Sequence, residues 1–309
     1  MNEPTSTAPY VARRAARSDF IPTRSLRYHL NVWGDPSLAT PERPTIVMLH
    51  GWMDVGASFQ FVVDALRDDR CVIAPDWRGF GLTEAPGADC YWFPDYLADL
   101  DALLDALSPK QPVDLLGHSM GGNAVMIYAG VRPERVRKLV NLEGFGLPAS
   151  RPDQAPRRYV KWLDELKQPA EIHSYASVDG VAARLRKNNP LLSEARAAWL
   201  APHWSRQGQD GRWHIRADAA HKRTNPVLYQ RAEVLECWKR IQAPLLWVEG
   251  DRTDVSKFWG TAYPRADFDA RIALVPNRRQ IVLAPAGHML HHDQPEALAS
   301  HLETFLDGA

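Results

Sequence analysis

Three things are scarce in this chain of 309 residues: net charge, cysteine and long apolar runs. Lys+Arg and Asp+Glu stand at 37 each, so the formal charge is zero. A nucleic-acid footprint shows as a basic excess and a solvating tail as a charged block, and the balance excludes both. Cysteine occurs only as Cys71, Cys90 and Cys237, widely separated. An odd, unpaired set reads as reduced thiols in a cytoplasmic protein rather than a disulfide framework. None is needed for stability, because a chain this long buries roughly 75% of its extended surface. No apolar run approaches the length of a membrane span. The opening stretch MNEPTSTAPYVARRAARS is polar and lacks an apolar centre, so it makes no secretory signal. It reads as a frayed N-terminal arm, assigned to residues 1–19.

What is present is a repeated alternation. TIVMLH (45–50), CVIAP (71–75), VDLLG (113–117), VRKLVNLE (136–143), PLLWVEG (244–250) and QIVLAP (280–285) are short, nearly continuous apolar runs. Strands covered on both faces need that pattern. Helical stripes lie between them, such as Leu97, Leu100, Leu104 and Leu107, and a last helix opens at Pro295 with Leu298, Leu302, Phe305 and Leu306. This predicts an α/β fold, a mostly parallel sheet with helices on both faces. The weaker alternation in SLRYHLNVWGD (25–35) suits an antiparallel edge hairpin. The rhythm breaks at residues 148–240, where short helical stretches replace strands, so this segment reads as a helical insertion. The core is then 20–147 and 241–309.

The insertion holds Trp162, Trp199, Trp204, Trp213 and Trp238 of the eleven tryptophans. Most of them are expected to pack the insertion's own core. Trp52 is the exception, placed to face a pocket for an apolar or aromatic substrate. The arginines Arg157, Arg158, Arg184 and Arg186 read as a solvated face.

One stretch carries chemistry. DLLGHSMGGNAVMIYAG (114–130) sets Ser119 in G-x-S-x-G, directly after an apolar strand and before an amphipathic helix. That context is the requirement for a nucleophile elbow, a sharp turn that exposes the hydroxyl at the carboxyl end of the sheet. A serine hydroxyl needs a base to take its proton. His288, just past the last strand, is the candidate. His291 and His292 complete an H-x-x-H-H run, but they lie beside a helix start where solvent-facing or capping roles are expected. A metal site is the weaker reading of that run, since no cysteine or carboxylate at ligand spacing accompanies it. A carboxylate must hold the imidazole in the right tautomer. Asp254 is favoured, in the turn after PLLWVEG, with Asp251 and Glu143 as alternatives. For the oxyanion hole, the N–H of Met120 follows the nucleophile and Trp52 in H-G-W-M-D is the second donor.

With these residues in place the chain resembles the α/β-hydrolases from about residue 20 onward. The motifs are H-G-W-M-D (50–54), D-W-R-G-F-G (76–81), G-H-S-M-G-G (117–122), R-P-E-R-V-R-K-L-V (132–140) and G-H…P-E (287–296). The resemblance implies that 148–240 is a helical cap over the active site. RLRKNNPLLSEA (184–195) and NLEGFG most resemble the serine hydrolase-like proteins. Haloalkane dehalogenases and epoxide hydrolases carry aspartate where Ser119 stands. One class of dehalogenases places its acid where Glu143 lies. The family's usual aspartate position, three residues beyond the strand-end glycine, is Thr253 here.

The function expected from this is a serine esterase working by acyl transfer on a small-molecule ester, without metal or organic cofactor. Carbon–carbon bond hydrolysis of ring-cleavage keto acids runs on the same triad, and a perhydrolase side activity fits the same site. The reading from another class is a non-catalytic small-molecule receptor on the hydrolase fold. Oligomeric state is not legible in the sequence.

Overall fold

The computed structural model describes residues 8–256 and 260–308. Its centre is a sheet of eight strands. In chain order these are β1 (Arg17–Thr23), β2 (Leu26–Trp33), β3 (Ile46–Leu49), β4 (Val72–Pro75), β5 (Val113–His118), β6 (Val136–Leu142), β10 (Leu245–Gly250) and β11 (Arg278–Leu283). They lie side by side as β1-β2-β4-β3-β5-β6-β10-β11. Pairing is parallel from β4 to β11, while β2 is antiparallel to both its neighbours. The edge hairpin expected at 25–35 is therefore present, and its first strand begins earlier, at Arg17.

The apolar runs are explained by which face each residue meets. Val47, Leu49, Leu115, Leu139 and Trp247 enter one buried cluster, with helices α2 (Phe93–Leu107), α3 (Met120–Val131) and α8 (Arg265–Ile272). Ile46, Met48, Leu116, Val140 and Leu246 enter the opposite one, under α1 (Gln60–Ala65) and α10 (Pro295–Asp307). Neighbours in sequence face opposite layers, and both layers are covered, so no polar alternation survives. β11 departs from this rule. It is an edge strand whose Arg278, Arg279 and Gln280 are exposed, which is why its start is hidden from an apolar-run reading.

Between β6 and β10 lies the inserted cap: α4 (Ala155–Leu166), β7 (Ser174–Tyr175), α5 (Val178–Asn188), α6 (Glu194–Trp204), β8 (Ser205–Gln207), β9 (Trp213–Ile215) and α7 (Arg231–Lys239). The helical cap expected from sequence is present as α4 to α7, and β7, β9 and β8 add a small antiparallel sheet to it. Strands of two or three residues carry no readable period. Trp199, Trp204 and Trp213 pack a cluster that joins cap residues to Val55, Ala57 and Phe61 of the core, while Trp238 is buried in the main core. The N-terminal arm is docked from Tyr10 onward, with residues 1–7 outside the described part. Tyr10 meets Phe61 and Trp199 edge-on, and the backbone N–H groups of Arg13 and Arg14 donate to Asp64, each at 2.8 Å.

The cap is pinned to the core at His221. Its ring stacks on Phe80 and Tyr91, with centroids 3.7 and 3.4 Å away, and its Nε2 donates to the Arg78 carbonyl at 3.1 Å. Burial pushes this imidazole down to about 3. The unfolded chain takes up the proton near pH 6.5 and the folded chain only near 3, so between these values the unfolded state binds the extra proton. Stability therefore falls as pH drops through that window, by ~1.4 kcal/mol per pH unit for this one group. Burial depresses His50, His118 and His292 in the same sense. His221→Gln keeps a donor for Arg78 and removes one titration. Urea unfolding between pH 7 and 4.5 should show a shallower loss than wild type. Equal slopes would mean His221 does not contribute.

Candidate active site

The strand order reverses between β3 and β5, since β4 lies on one side of β3 and β5 on the other. Open parallel sheets bind ligands in the crevice at such a switch point. Ser119 follows β5 there, with φ 52° and ψ −112°, between strand and α3. Two glycines make this turn possible. A Cβ on Gly117 would lie 2.3 Å from the Gly121 carbonyl oxygen, and one on Gly121 would lie 2.2 Å from that of Leu49. No side chain fits at either place. The Ser119 N–H donates to Leu142 at 2.8 Å and its carbonyl accepts from Asn123 at 2.9 Å, which anchors the elbow on both sides.

His288 Nε2 lies 3.0 Å from Ser119 Oγ, and its Nδ1 lies 2.7 Å from Glu143 Oε2. An ionised carboxylate only accepts, so Nδ1 carries the proton and Nε2 is left to accept from the serine hydroxyl. Glu143 is 2% exposed, and its other oxygen accepts from the Gly250 N–H at 2.7 Å. Both oxygens of a buried carboxylate are thereby satisfied. Glu143 takes φ 56°, which ends β6 and turns the side chain across to the end of β10.

The carboxylate set against His288 Nδ1 is thus Glu143 rather than the favoured Asp254. The Asp254 carboxylate accepts from the Ser256 N–H at 3.0 Å in an exposed turn. Asp251 accepts from the Ala286 N–H at 2.8 Å and so braces the loop leading to His288. It is Glu143, the third option in sequence, that meets the imidazole. Thr253, on the family's usual position, has a buried hydroxyl with no hydrogen-bond partner among the described residues.

The turn after β3 lies directly against the nucleophile. A Cβ on Gly51 would stand 3.2 Å from Ser119 Cβ. His50 fixes this turn. Its Nε2 accepts the Trp77 N–H at 2.8 Å, so its Nδ1 proton goes to the Gly51 carbonyl at 2.8 Å. Trp77 Nε1 returns a bond to the His50 carbonyl at 3.0 Å. Trp52 follows in the turn with 51% of its surface exposed. Met120 opens α3, where the first N–H groups have no partner inside the helix. The D-W-R-G-F-G stretch is a brace: Asp76 accepts from Gly56 and Leu82 N–H groups, at 2.7 and 2.8 Å.

Residues 44–295 match the profile of the alpha/beta hydrolase fold family. The chain belongs to that family. A serine hydrolase-like protein from Mus musculus is 34% identical over 300 residues, which span 90% of this chain and 92% of that protein. Esterase YbfF from Escherichia coli is 26% identical over 294 residues, 90% of this chain and 99% of that one. Among solved structures, a thioesterase domain from the curacin biosynthetic pathway superposes with a TM-score of 0.80 at 28% identity, covering 94% of this chain and 99% of that domain.

One residue of this alpha/beta hydrolase site had no reading in the sequence, and two histidines lie elsewhere than expected. His118, the x before Ser119 in the motif, donates from Nε2 to the His288 carbonyl at 2.8 Å. His291 and His292 are buried, not solvent-facing. With Asp54 they offer three ligand atoms within 4.8 Å of one another. Ser58 Oγ already sits among them, donating to Asp54 Oδ2 at 2.7 Å and 3.2 Å from His292 Nε2. Ser58 is fully buried, so this second serine–histidine–aspartate group has no face for substrate and reads as a hydrogen-bonded support. A cavity of about 540 Å³ opens beside Gly81, Leu82, Arg206 and Arg216. Ser119, His288 and Glu143 do not line it, so the geometry gives it no part in the chemistry. No helix of the described residues is long and apolar enough to cross a membrane.

Proposed function

We propose that this chain is a serine hydrolase that cleaves small carboxylic esters by acyl transfer. Ser119 attacks the ester carbonyl while His288 takes its proton, and the proton then passes to the departing alcohol. Water, deprotonated by the same imidazole, attacks the acyl-enzyme, and the carboxylic acid and free serine result. Glu143 holds the Nδ1–H tautomer and stabilises the imidazolium. The backbone N–H groups of Met120 and Trp52 are the proposed donors to the oxyanion. The single observation that carries the reading is the unbroken line Ser119–His288–Glu143, at 3.0 and 2.7 Å.

The names of the mouse and Escherichia coli relatives support hydrolysis, and the second supports esters. The half-exposed Trp52, next in the chain to the Gly51 that lies against Ser119, supports an apolar or aromatic acyl group. The three free cysteines support a reducing, cytoplasmic setting. The test is a panel of p-nitrophenyl esters of rising acyl length, with a ring-cleavage keto acid alongside. Sustained product release over many turnovers on the esters is expected. One equivalent released without turnover, or keto-acid cleavage alone, would overturn the ester reading.

A further inference from the structure

Two carboxylates join the cap to the loops of the site, and each divides its oxygens between them. Asp293, the last residue of α9 (Leu290–Asp293), accepts the Gly287 N–H on Oδ2 at 2.8 Å and Asn189 Nδ2 of the cap on Oδ1 at 2.8 Å. Asp54, in the turn after β3, accepts Ser58 Oγ on Oδ2 at 2.7 Å and Trp204 Nε1 of the cap on Oδ1 at 2.9 Å. Arg196 of α6 adds a bond to the His292 carbonyl at 3.1 Å.

The first of these junctions reaches the general base. Gly287 precedes His288; its N–H is held by Asp293, while its carbonyl lies against Gly250, where a Cβ would stand 2.7 Å from that oxygen. The Asp293 bond fixes the N–H side of this glycine and so orients the peptide that leads into His288. Asn189 is itself fixed. It is 7% exposed, ends α5 by donating its N–H to Leu185 at 2.9 Å, and accepts the Leu191 N–H on Oδ1 at 3.2 Å. Its amide can present only the NH₂ group to Asp293.

We propose that Asn189 and Asp293 are positioning residues for His288, so that seating the cap sets the geometry of the general base. The inference rests on the serine-hydrolase reading above, and it places the cap inside the catalytic geometry rather than merely over it. A displacement of about 1 Å in a catalytic group costs on the order of 10²-fold in rate. Asn189→Asp opposes two carboxylates, and Asp293→Asn opposes two amide NH₂ groups. Either change should lower kcat by about 10- to 100-fold with KM for a short ester little changed. The double variant N189D/D293N restores both bonds with donor and acceptor exchanged. The amide introduced at position 293 still accepts from Gly287 through its oxygen, and its NH₂ group donates to the carboxylate introduced at position 189. It should recover most of kcat.

A readout independent of turnover is the low-field proton resonance of His288 Nδ1–H. It should shift or broaden in each single variant and return in the double one. Single variants that lose thermal stability but keep kcat and the resonance would make the junction structural only and overturn the inference. So would a double variant that stays as impaired as the singles. If esters are not turned over at all, the resonance still decides whether the cap sets His288, and the two readings fail separately.

Discussion

Ser119→Ala should abolish labelling by a fluorophosphonate and lower ester turnover by about 10⁶-fold, the loss typical when a triad nucleophile is removed. Residual catalysis of about 10³–10⁴ over water should persist, because the oxyanion donors and the binding surface remain. The change deletes one buried-side hydroxyl and adds nothing, so the fold should be unaffected. Intact mass after incubation gives the answer in one experiment: a single adduct on wild type, none on the variant. The same experiment on Ser58→Ala separates the two serines that have histidine and carboxylate neighbours. Ser58 is fully buried and already donates to Asp54, so its removal should leave the adduct in place. An adduct that survives Ser119→Ala and vanishes with Ser58→Ala would move the nucleophile to the buried cluster and away from the elbow.

What could be read from the sequence follows from how local each feature is. The elbow is local. Strand, glycine-flanked serine and helix are contiguous, and the close approach of Gly121 to Leu49 demands glycine at a position the motif already names. The parallel strands are legible for a related reason, since burial on both faces writes an unbroken apolar run. The cap's strands are not, because β7 has two residues and β8 and β9 three each. His291 and His292 read from sequence as a polar helix start. They are buried because Asp54 and Ser58, some 230 residues earlier in the chain, supply their environment. Asn189 and Asp293 lie 104 positions apart, and no spacing rule joins them.

Glu143, the proposed acid, is the clearest case of a residue whose contact only the fold reveals, and it carries the second large prediction. β6 and β10 are adjacent and parallel, so the residue ending β6 stands beside Gly250, which ends β10. A spacing rule counted along one loop cannot see that Glu143 crosses from the neighbouring strand. Glu143→Gln tests it sharply. The Gly250 N–H still needs an acceptor, so the Gln carbonyl oxygen must turn to it. The Gln NH₂ group then faces His288 Nδ1. A donor there forces the proton onto Nε2, which points it at Ser119 and leaves no lone pair to receive the serine proton. A carboxylate-to-amide change of this kind lowers kcat by about 10⁴-fold with the geometry intact. Asp254→Asn, in an exposed turn, should stay within about two- to threefold of wild type, the range of surface changes. Asp251→Asn keeps an acceptor for the Ala286 N–H and should likewise be mild. Measuring kcat for all three on one ester ranks them directly. A large loss at Asp254 with none at Glu143 would return the acid to the turn after β10, and the crossing from β6 would then be only a buried hydrogen bond.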